Sequence, residues 1–173
     1  MQVLFPDHYY YQYKAPNADD FIDRLNREHN VDNSQFPWGK DCEVDLIRLG
    51  WEEYFKYLTP SMDLLRKDMS GIYEFSICDP WLNLYKKGGF QECHDHKDAD
   101  LACVFFLQED YNFYFVNRNV NLSRVFNQPD RQMISAERGD ILFFPAHMLH
   151  GVTPNRSDDI RKTFSCNFWM KTL

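Results

Sequence analysis

The spacing of hydrophobic residues changes near residue 71, and this change divides the chain into two regions. Before it, apolar residues recur at helical spacing over 19–30 and again over 50–69, each time along one face of a helix. Pro60 lies inside the second stretch, and we predict that the helix breaks and restarts there. The pattern therefore predicts helices within residues 1–70 that pack their apolar faces on the outside of a sheet.

After residue 71, apolar and polar residues alternate in short runs that are typical of β-strands. The runs cover 72–78, 81–85, 101–108, 112–117, 131–136, 140–145 and 161–170. Short strands separated by turn residues predict a sandwich or barrel. The tyrosine-rich first 18 residues predict an edge strand or a strap. Because no linker or repeat interrupts the chain, we predict a single domain over 1–173, with 71–173 as its β core.

Composition and charge narrow the class of protein. The chain has 173 residues, which is enough for one domain with a hydrophobic core. Its net charge of −7 disfavours binding to a nucleic-acid backbone, which needs a basic face. No run of eighteen apolar residues and no secretory signal is visible, so we expect no membrane contact and a cytoplasmic protein. The five cysteines contain no CxxC pair and are expected to be reduced thiols.

A cluster of potential metal ligands stands in front of the strand at 101–108. In a strand, residues 94, 96 and 98 would point to one side, so His94 and His96 can bind one metal ion together. A third ligand must come from elsewhere, and His150 follows a strongly apolar strand; His147 is expected to be structural. Asp98 remains an alternative to His96. Two histidines with a third nitrogen or oxygen ligand leave coordination positions open, which suits Fe(II).

A second group of polar residues lies on predicted strands and could bind an anion. Arg161 stands in a strand rich in aromatic residues, and because an unpaired buried arginine is costly, we expect it to face an anion. The alternative is a solvated arginine beside the two aspartates that precede it. Thr163 shares the face of Arg161, and so does Asn167, a candidate for lining a substrate pocket. Asn83 and Tyr85 share one face of their own strand.

These motifs resemble the 2-oxoglutarate and Fe(II)-dependent oxygenases, and within them the prolyl 4-hydroxylase-like branch. The sequence YKKGGFQECHDH from Tyr85 follows that branch's order of tyrosine, glycine pair and HxD. The sequences GDILFFP from Gly139, HGVTP from His150 and RKT from Arg161 are similar to its later motifs. His96 stands where the branch has aspartate. A type found in phages and marine bacteria has a similar WxNxY pattern with HxH, so a phage origin would fit.

The resemblance implies a fold, a cofactor and a reaction. The fold would be mainly β (α+β): a double-stranded β-helix, or cupin-like jelly roll, with N-terminal helices on its outside. Fe(II) would be the catalytic centre, with 2-oxoglutarate as co-substrate and O2 as oxidant; a C–H bond would be hydroxylated while succinate and CO2 are released. The implied metal ligands are His94, His150 and either His96 or Asp98, and the implied 2-oxoglutarate residues are Arg161, Thr163, Tyr85 and Asn83.

The substrate does not follow from these residues. A peptidyl proline is the nearest analogue in the family, and a peptide or a small molecule fits equally. The segments 117–132 and Phe36–Trp38 are predicted to form a wall over the substrate, with Trp38 lining it. Two alternatives stay open: a three-histidine cupin-type metalloprotein that does not use 2-oxoglutarate, and a catalytically silent jelly roll with a binding or structural role. The pair Arg161 and Thr163 favours the oxygenase over the cupin-type metalloprotein, because an enzyme that uses no keto acid does not need it.

Overall fold

The computed structural model describes residues 8–28, 36–37, 45–118, 124–125, 127 and 129–173. Its helices are α1 (Ala18–Glu28) and α2 (Trp51–Asp68). Its strands are β1 (Tyr11–Lys14), β2 (Phe36–Pro37), β3 (Asp45–Arg48), β4 (Tyr73–Tyr85), β5 (Gln91–His94), β6 (Leu101–Phe106), β7 (Phe113–Val116), β8 (Arg131–Met133), β9 (Asp140–Pro145), β10 (His150–Val152) and β11 (Arg161–Thr172).

Two antiparallel sheets face each other. The larger has the order β1-β9-β6-β11-β4-β3-β2, and the smaller has the order β5-β10-β7-β8. Apolar side chains from both sheets fill the space between them, including Val104 and Phe144 from the larger sheet and Phe115 and Val152 from the smaller. Each of these side chains is less than a tenth exposed, so the space between the two sheets is a packed hydrophobic core.

The two helices cover the outer face of the larger sheet, as the sequence predicts. The ring of Phe21 in α1 lies 4.7 Å from that of Phe105, and the ring of Tyr54 in α2 lies 5.8 Å from that of Phe164. Because β6 is buried on both faces, its apolar run is continuous rather than alternating. Among the described residues, no helix is long and apolar enough to cross a membrane.

Pro60 does not break α2, and the predicted restart is wrong. The helix runs from Trp51 to Asp68 with Pro60 inside it. An interior proline costs about 3 kcal/mol through its missing N–H and its ring. Leu58, Met62 and Leu65 are fully buried on the face that meets the sheet, and each contributes about 1.5–3 kcal/mol. Their burial outweighs the cost of the proline.

Pro80 lies inside a single long strand rather than between two strands. The sequence predicts separate strands before and after it, but β4 is continuous. The register with β11 shifts here, so that Asp79 and Pro80 together oppose Cys166 in a bulge. A bulge leaves a strand residue without a ladder bond, which suits a residue that has no N–H.

The larger sheet takes three strands from before residue 71. β1 forms its edge and pairs with β9, which agrees with the edge strand predicted for the first 18 residues. β3 pairs with β4 and β2 with β3 at the opposite edge. The N-terminal region therefore contributes strands as well as helices to the fold.

Candidate metal centre and co-substrate pocket

Three histidines meet between the sheets. His94 ends β5 and His150 begins β10, and these two residues are direct partners in the antiparallel register. Their ring centroids are 4.4 Å apart, and the ring of His96 lies 5.1 Å from each. One nitrogen from each ring can be chosen so that all three lie within 4.8 Å of one another. Such a cluster could hold one metal ion.

Backbone carbonyl groups orient two of the three rings. The Nδ1 atom of His94 lies 2.9 Å from the carbonyl oxygen of Glu92, and that of His150 lies 2.8 Å from the carbonyl oxygen of Met148. A ring that donates its Nδ1–H to a carbonyl keeps the Nε2 lone pair for a metal ion. Both rings therefore have the arrangement expected of metal ligands.

Two of the histidines, His96 and His150, are also in the protonation state that a metal site needs. Burial, together with the neighbouring His94, lowers the pKa of His96 to about 4. Burial and the two other histidines lower the pKa of His150 well below its usual value. Neutral imidazole is the ligating form, so at neutral pH His96 and His150 present uncharged nitrogen donors. This donor set fits an imidazole-bound Fe(II) with open positions.

The structure brings His96 to this cluster and leaves Asp98 outside it. The predicted alternation of 94, 96 and 98 along one strand is wrong, because β5 ends at His94 and the chain turns at 97–98. The N–H of His96 donates to the carbonyl of Ala146 at 2.9 Å, which fixes the start of this turn. The side chain of Asp98 is exposed, and its carbonyl accepts the indole N–H of Trp169. His147 is exposed as well.

A pocket adjoins the histidines. One wall is a chain of hydrogen bonds: the Trp81 indole donates to Asn83 Oδ1 at 2.9 Å, and Asn83 Nδ2 donates to Thr163 Oγ1 at 3.1 Å and to Ser165 Oγ at 3.0 Å. Tyr85 also lines the pocket. Asn83, Tyr85 and Thr163 therefore lie together as predicted. Ser165 was missed, although its position two residues after Thr163 places it on the same face.

The buried arginine has one anionic partner and two nitrogen atoms without a partner. Arg161 is 5% exposed, and its Nε–H donates to the carboxylate of Asp110. Its Nη1 and Nη2 atoms are buried without a hydrogen-bond partner. Its Cζ lies 4.5 Å from the ring centroid of Tyr85, and the guanidinium touches the pocket through that ring rather than lining it directly. The alternative of a solvated arginine beside the two preceding aspartates is therefore wrong, because Arg161 is buried and its anionic partner within the chain is Asp110.

Tyr85 is neutral in this setting. Burial raises the pKa of its hydroxyl to about 12, although the positive charge of Arg161 acts in the opposite direction. The hydroxyl donates to Gln91 Oε1 at 2.8 Å. Tyr85 can therefore contribute its ring and a hydroxyl to the pocket, but no charge.

Asn155 joins the strand ends that carry the pocket residues, and sequence reasoning missed it. Its side-chain N–H groups donate to the carbonyls of Tyr85 and Asp159 at 2.9 and 2.8 Å. Its own backbone pairs with both glycines of the turn after β4. Gly88 in this turn has a φ of 84°, a conformation that favours glycine. The glycine pair thus holds the end of β4 against the start of β11.

Of the two residues predicted to line a substrate pocket, Asn167 and Trp38, only Asn167 lies within the described part of the chain. Asn167 is half-buried, and its Nδ2 lies 3.4 Å from Nδ1 of His96. It therefore lies beside the histidine cluster. Trp38 is outside the described residues, as is part of the segment 117–132, so the predicted wall over the substrate stays a prediction.

A family profile matches this part of the chain. The profile for 2OG-Fe(II) oxygenases covers residues 79–167, just over half of the 173 residues, and spans every residue of the histidine cluster together with Arg161 and Thr163. Among curated protein sequences, none matches the chain.

Solved structures with the same fold are also oxygenases. A non-heme α-ketoglutarate-dependent carbocyclase from nogalamycin biosynthesis, SnoK, has a TM-score of 0.70 at 13% identity, with 94% of this chain and 79% of that chain covered. A prolyl-4-hydroxylase from Pseudomonas putida has a TM-score of 0.66 at 16% identity, with coverages of 94% and 92%. HygX from Streptomyces hygroscopicus, with nickel and 2-oxoglutarate bound, has a TM-score of 0.65 at 10% identity, with coverages of 92% and 82%. These likenesses confirm the predicted jelly-roll fold.

Proposed function

Because the chain belongs to the 2OG-Fe(II) oxygenase family, we propose that its single domain, residues 1–173, hydroxylates a C–H bond of a peptide or small molecule. The cofactors are Fe(II), 2-oxoglutarate and O2, as in the family. With these bound, the iron centre supplies the oxidising chemistry, in which 2-oxoglutarate is converted to succinate and CO2. The protein's own groups bind, orient and shield these reactants.

His94, His96 and His150 are the proposed iron ligands. Their nitrogen atoms are close together, and lowered pKa values favour the neutral form of His96 and His150. The rings of His94 and His150 each turn Nε2 away from a carbonyl that binds Nδ1. Phe113 and Phe144 pack against His150, with ring centroids 5.6 and 4.9 Å from it. This apolar surrounding disfavours protonation of His150.

The observation that carries the use of 2-oxoglutarate is the pair of buried Nη atoms on Arg161 without a partner. A buried donor that bonds to nothing costs about 1–3 kcal/mol, and more when it is charged, so this edge of the guanidinium is suited to a second anion. The fork of an arginine matches a carboxylate, such as the C5 carboxylate of 2-oxoglutarate. Thr163 accepts a hydrogen bond from Asn83, and its hydroxyl is a donor that suits the same carboxylate.

The same observation disfavours the two alternatives. A three-histidine metalloprotein without a keto acid, or a silent jelly roll, gives no reason to bury a half-satisfied guanidinium behind Tyr85, a residue that lines the pocket of the histidines. For the substrate, the neighbours include a prolyl-4-hydroxylase and a carbocyclase of nogalamycin biosynthesis. We therefore propose a peptide or a small molecule, with peptidyl proline as the first candidate to assay.

The proposal is tested by adding Fe(II) and 2-oxoglutarate without oxygen and recording the visible charge-transfer band that a bound keto acid gives. Wild-type protein should show the band, His150→Ala should not, and the exposed His147→Ala should behave as wild type. Protein that holds iron but shows no band would contradict the use of 2-oxoglutarate.

The same assay decides the third ligand. Because His96 lies in the cluster and Asp98 is exposed, His96→Ala should lose metal binding while Asp98→Ala keeps it. The reverse result would assign the third position to Asp98.

A further inference from the structure

We propose that Asp110 is a positioning residue for co-substrate binding: it fixes the guanidinium of Arg161 so that only the Nη1–Nη2 edge is left for the distal carboxylate of 2-oxoglutarate. This inference rests on the proposed function. It concerns a residue in the loop between β6 and β7, outside every motif that the sequence suggested.

Asp110 is itself held on all sides. Its side chain is 0% exposed. Its Oδ1 accepts the backbone N–H groups of Asn112 at 2.8 Å and Phe113 at 3.2 Å, and its Oδ2 accepts the Nε–H of Arg161. Its own backbone exchanges two hydrogen bonds with Ala136, at 2.8 and 2.9 Å. A carboxylate fixed in this way can set the place of whatever it binds.

The contact with Asp110 uses the Nε–H of the Arg161 guanidinium and leaves its Nη1 and Nη2 groups without a partner. Arginine carries five N–H donors in a planar fork, and Asp110 takes the one on Nε. The ring of Tyr85 packs over Cζ and restricts rotation of the plane. The donors on Nη1 and Nη2 stay buried and unsatisfied. They form the edge that matches a carboxylate in two parallel hydrogen bonds.

Positioning and simple charge have opposite consequences. If Asp110 only added negative charge near the pocket, it would repel a dicarboxylate, and removing the charge would strengthen the preference for 2-oxoglutarate. If Asp110 positions Arg161, removing it weakens that preference. In Asp110→Asn the amide must turn an N–H₂ group either towards the Nε–H of Arg161 or towards the two backbone N–H groups, so the present arrangement cannot persist.

The experiment compares two keto acids on nickel-loaded protein. 2-Oxoglutarate carries the distal carboxylate, and 2-oxopentanoate has a methyl group in its place. Asp110→Asn should lower the preference for 2-oxoglutarate at least about tenfold, the equivalent of one charge-assisted hydrogen bond, with little change for 2-oxopentanoate. Asp158→Asn is the matched control, because Asp158 is exposed and should leave the preference unchanged. An unchanged or increased preference in Asp110→Asn would overturn the proposal.

Two further measurements guard against a variant that does not fold. Asp110→Glu keeps the charge but moves it by one methylene, so positioning again predicts a reduced preference and a charge role predicts none. In wild-type protein, a fixed guanidinium should bind 2-oxoglutarate at least about tenfold more tightly than 2-oxoadipate, which is one methylene longer. Equal affinities would overturn the proposal. Wild-type protein that binds nickel but neither keto acid would instead refute the proposed function, and the inference with it.

Discussion

Replacing Asn167 by leucine tests how the third imidazole of the cluster is held. His94 and His150 each have a backbone carbonyl oxygen next to Nδ1. Next to Nδ1 of His96 lies instead the side-chain amide of Asn167, whose Nδ2 is 3.4 Å away. The Oδ1 atom of that amide is buried and has no partner. An amide oxygen turned towards the ring would accept Nδ1–H and leave Nε2 of His96 for the metal. Asn167 would then do for His96 what a carbonyl does for each of the other rings.

The size of the effect follows from the hydrogen bond that is lost. A neutral hydrogen bond contributes about 1 kcal/mol, and partners behind metal ligands typically change affinity about 10–100-fold. Asn167→Leu, which keeps the volume but removes the acceptor, should therefore weaken binding of Ni(II) or Zn(II) about tenfold. Asn167→Asp supplies a charged acceptor and should strengthen it, because a charge-assisted hydrogen bond raises the basicity of the ring.

The assay is competition with a chelator of known affinity, at one pH, on variants whose metal-free unfolding has been compared first. Opposite changes from two substitutions of similar size cannot come from a general loss of packing. Leucine and aspartate variants that bind metal equally well, or that both lose affinity, would refute this role of Asn167.

Two more predictions concern stability. Arg161→Met should lower the free energy of unfolding by about 3–5 kcal/mol because it leaves Asp110 buried without its cation; adding Asp110→Asn should recover part of the loss, and simple additivity in urea unfolding would contradict a coupled pair. Asp140 has a lowered pKa: burial acts to raise it, but the hydrogen bonds from Lys14 and from a backbone N–H prevail. Since the folded pKa lies below the unfolded value, its stabilisation is present above about pH 4 and is lost as the pH falls further. The difference in the free energy of unfolding between wild type and Asp140→Asn should therefore shrink as the pH falls from 5 to 3. Urea unfolding at each pH measures this difference, and a difference that does not change with pH would disprove the prediction.

Features set by nearby residues could be predicted from the sequence. The period of the apolar residues identified the helices over 18–28 and 51–68 and most strands after residue 71, because one buried face imposes that period. The shared face of Asn83 and Tyr85 on β4 follows from the same alternation, whereas His150 is a candidate because it follows an apolar strand. The strand alternation failed only where the backbone left the strand.

The two failures at prolines and the one at Asp98 share a cause. In each, a contact distant in sequence decides the local conformation: the sheet beneath Pro60, β11 opposite Pro80, and the carbonyl of Ala146 that binds the N–H of His96. Local propensities are worth fractions of a kcal/mol to about 3 kcal/mol, and burial of a few large side chains exceeds them. The spacing of residues in the sequence does not show whether local propensity or burial prevails at a given position.

The two halves of the proposed site, the histidine cluster and the anion-binding arginine, differ in how much of each could be predicted from the sequence. The histidine half is local, since two of the proposed ligands lie two residues apart in the chain and the third follows an apolar strand. The anion half begins from an energetic argument, that a buried arginine must be paired, which correctly requires a partner for Arg161 but does not identify it. Asp110 lies 51 residues earlier in a loop with no motif. It becomes the partner only when the turn after β6 and the start of β7 close around its carboxylate with two backbone N–H groups, because those bonds fix an anion where β11 buries a cation.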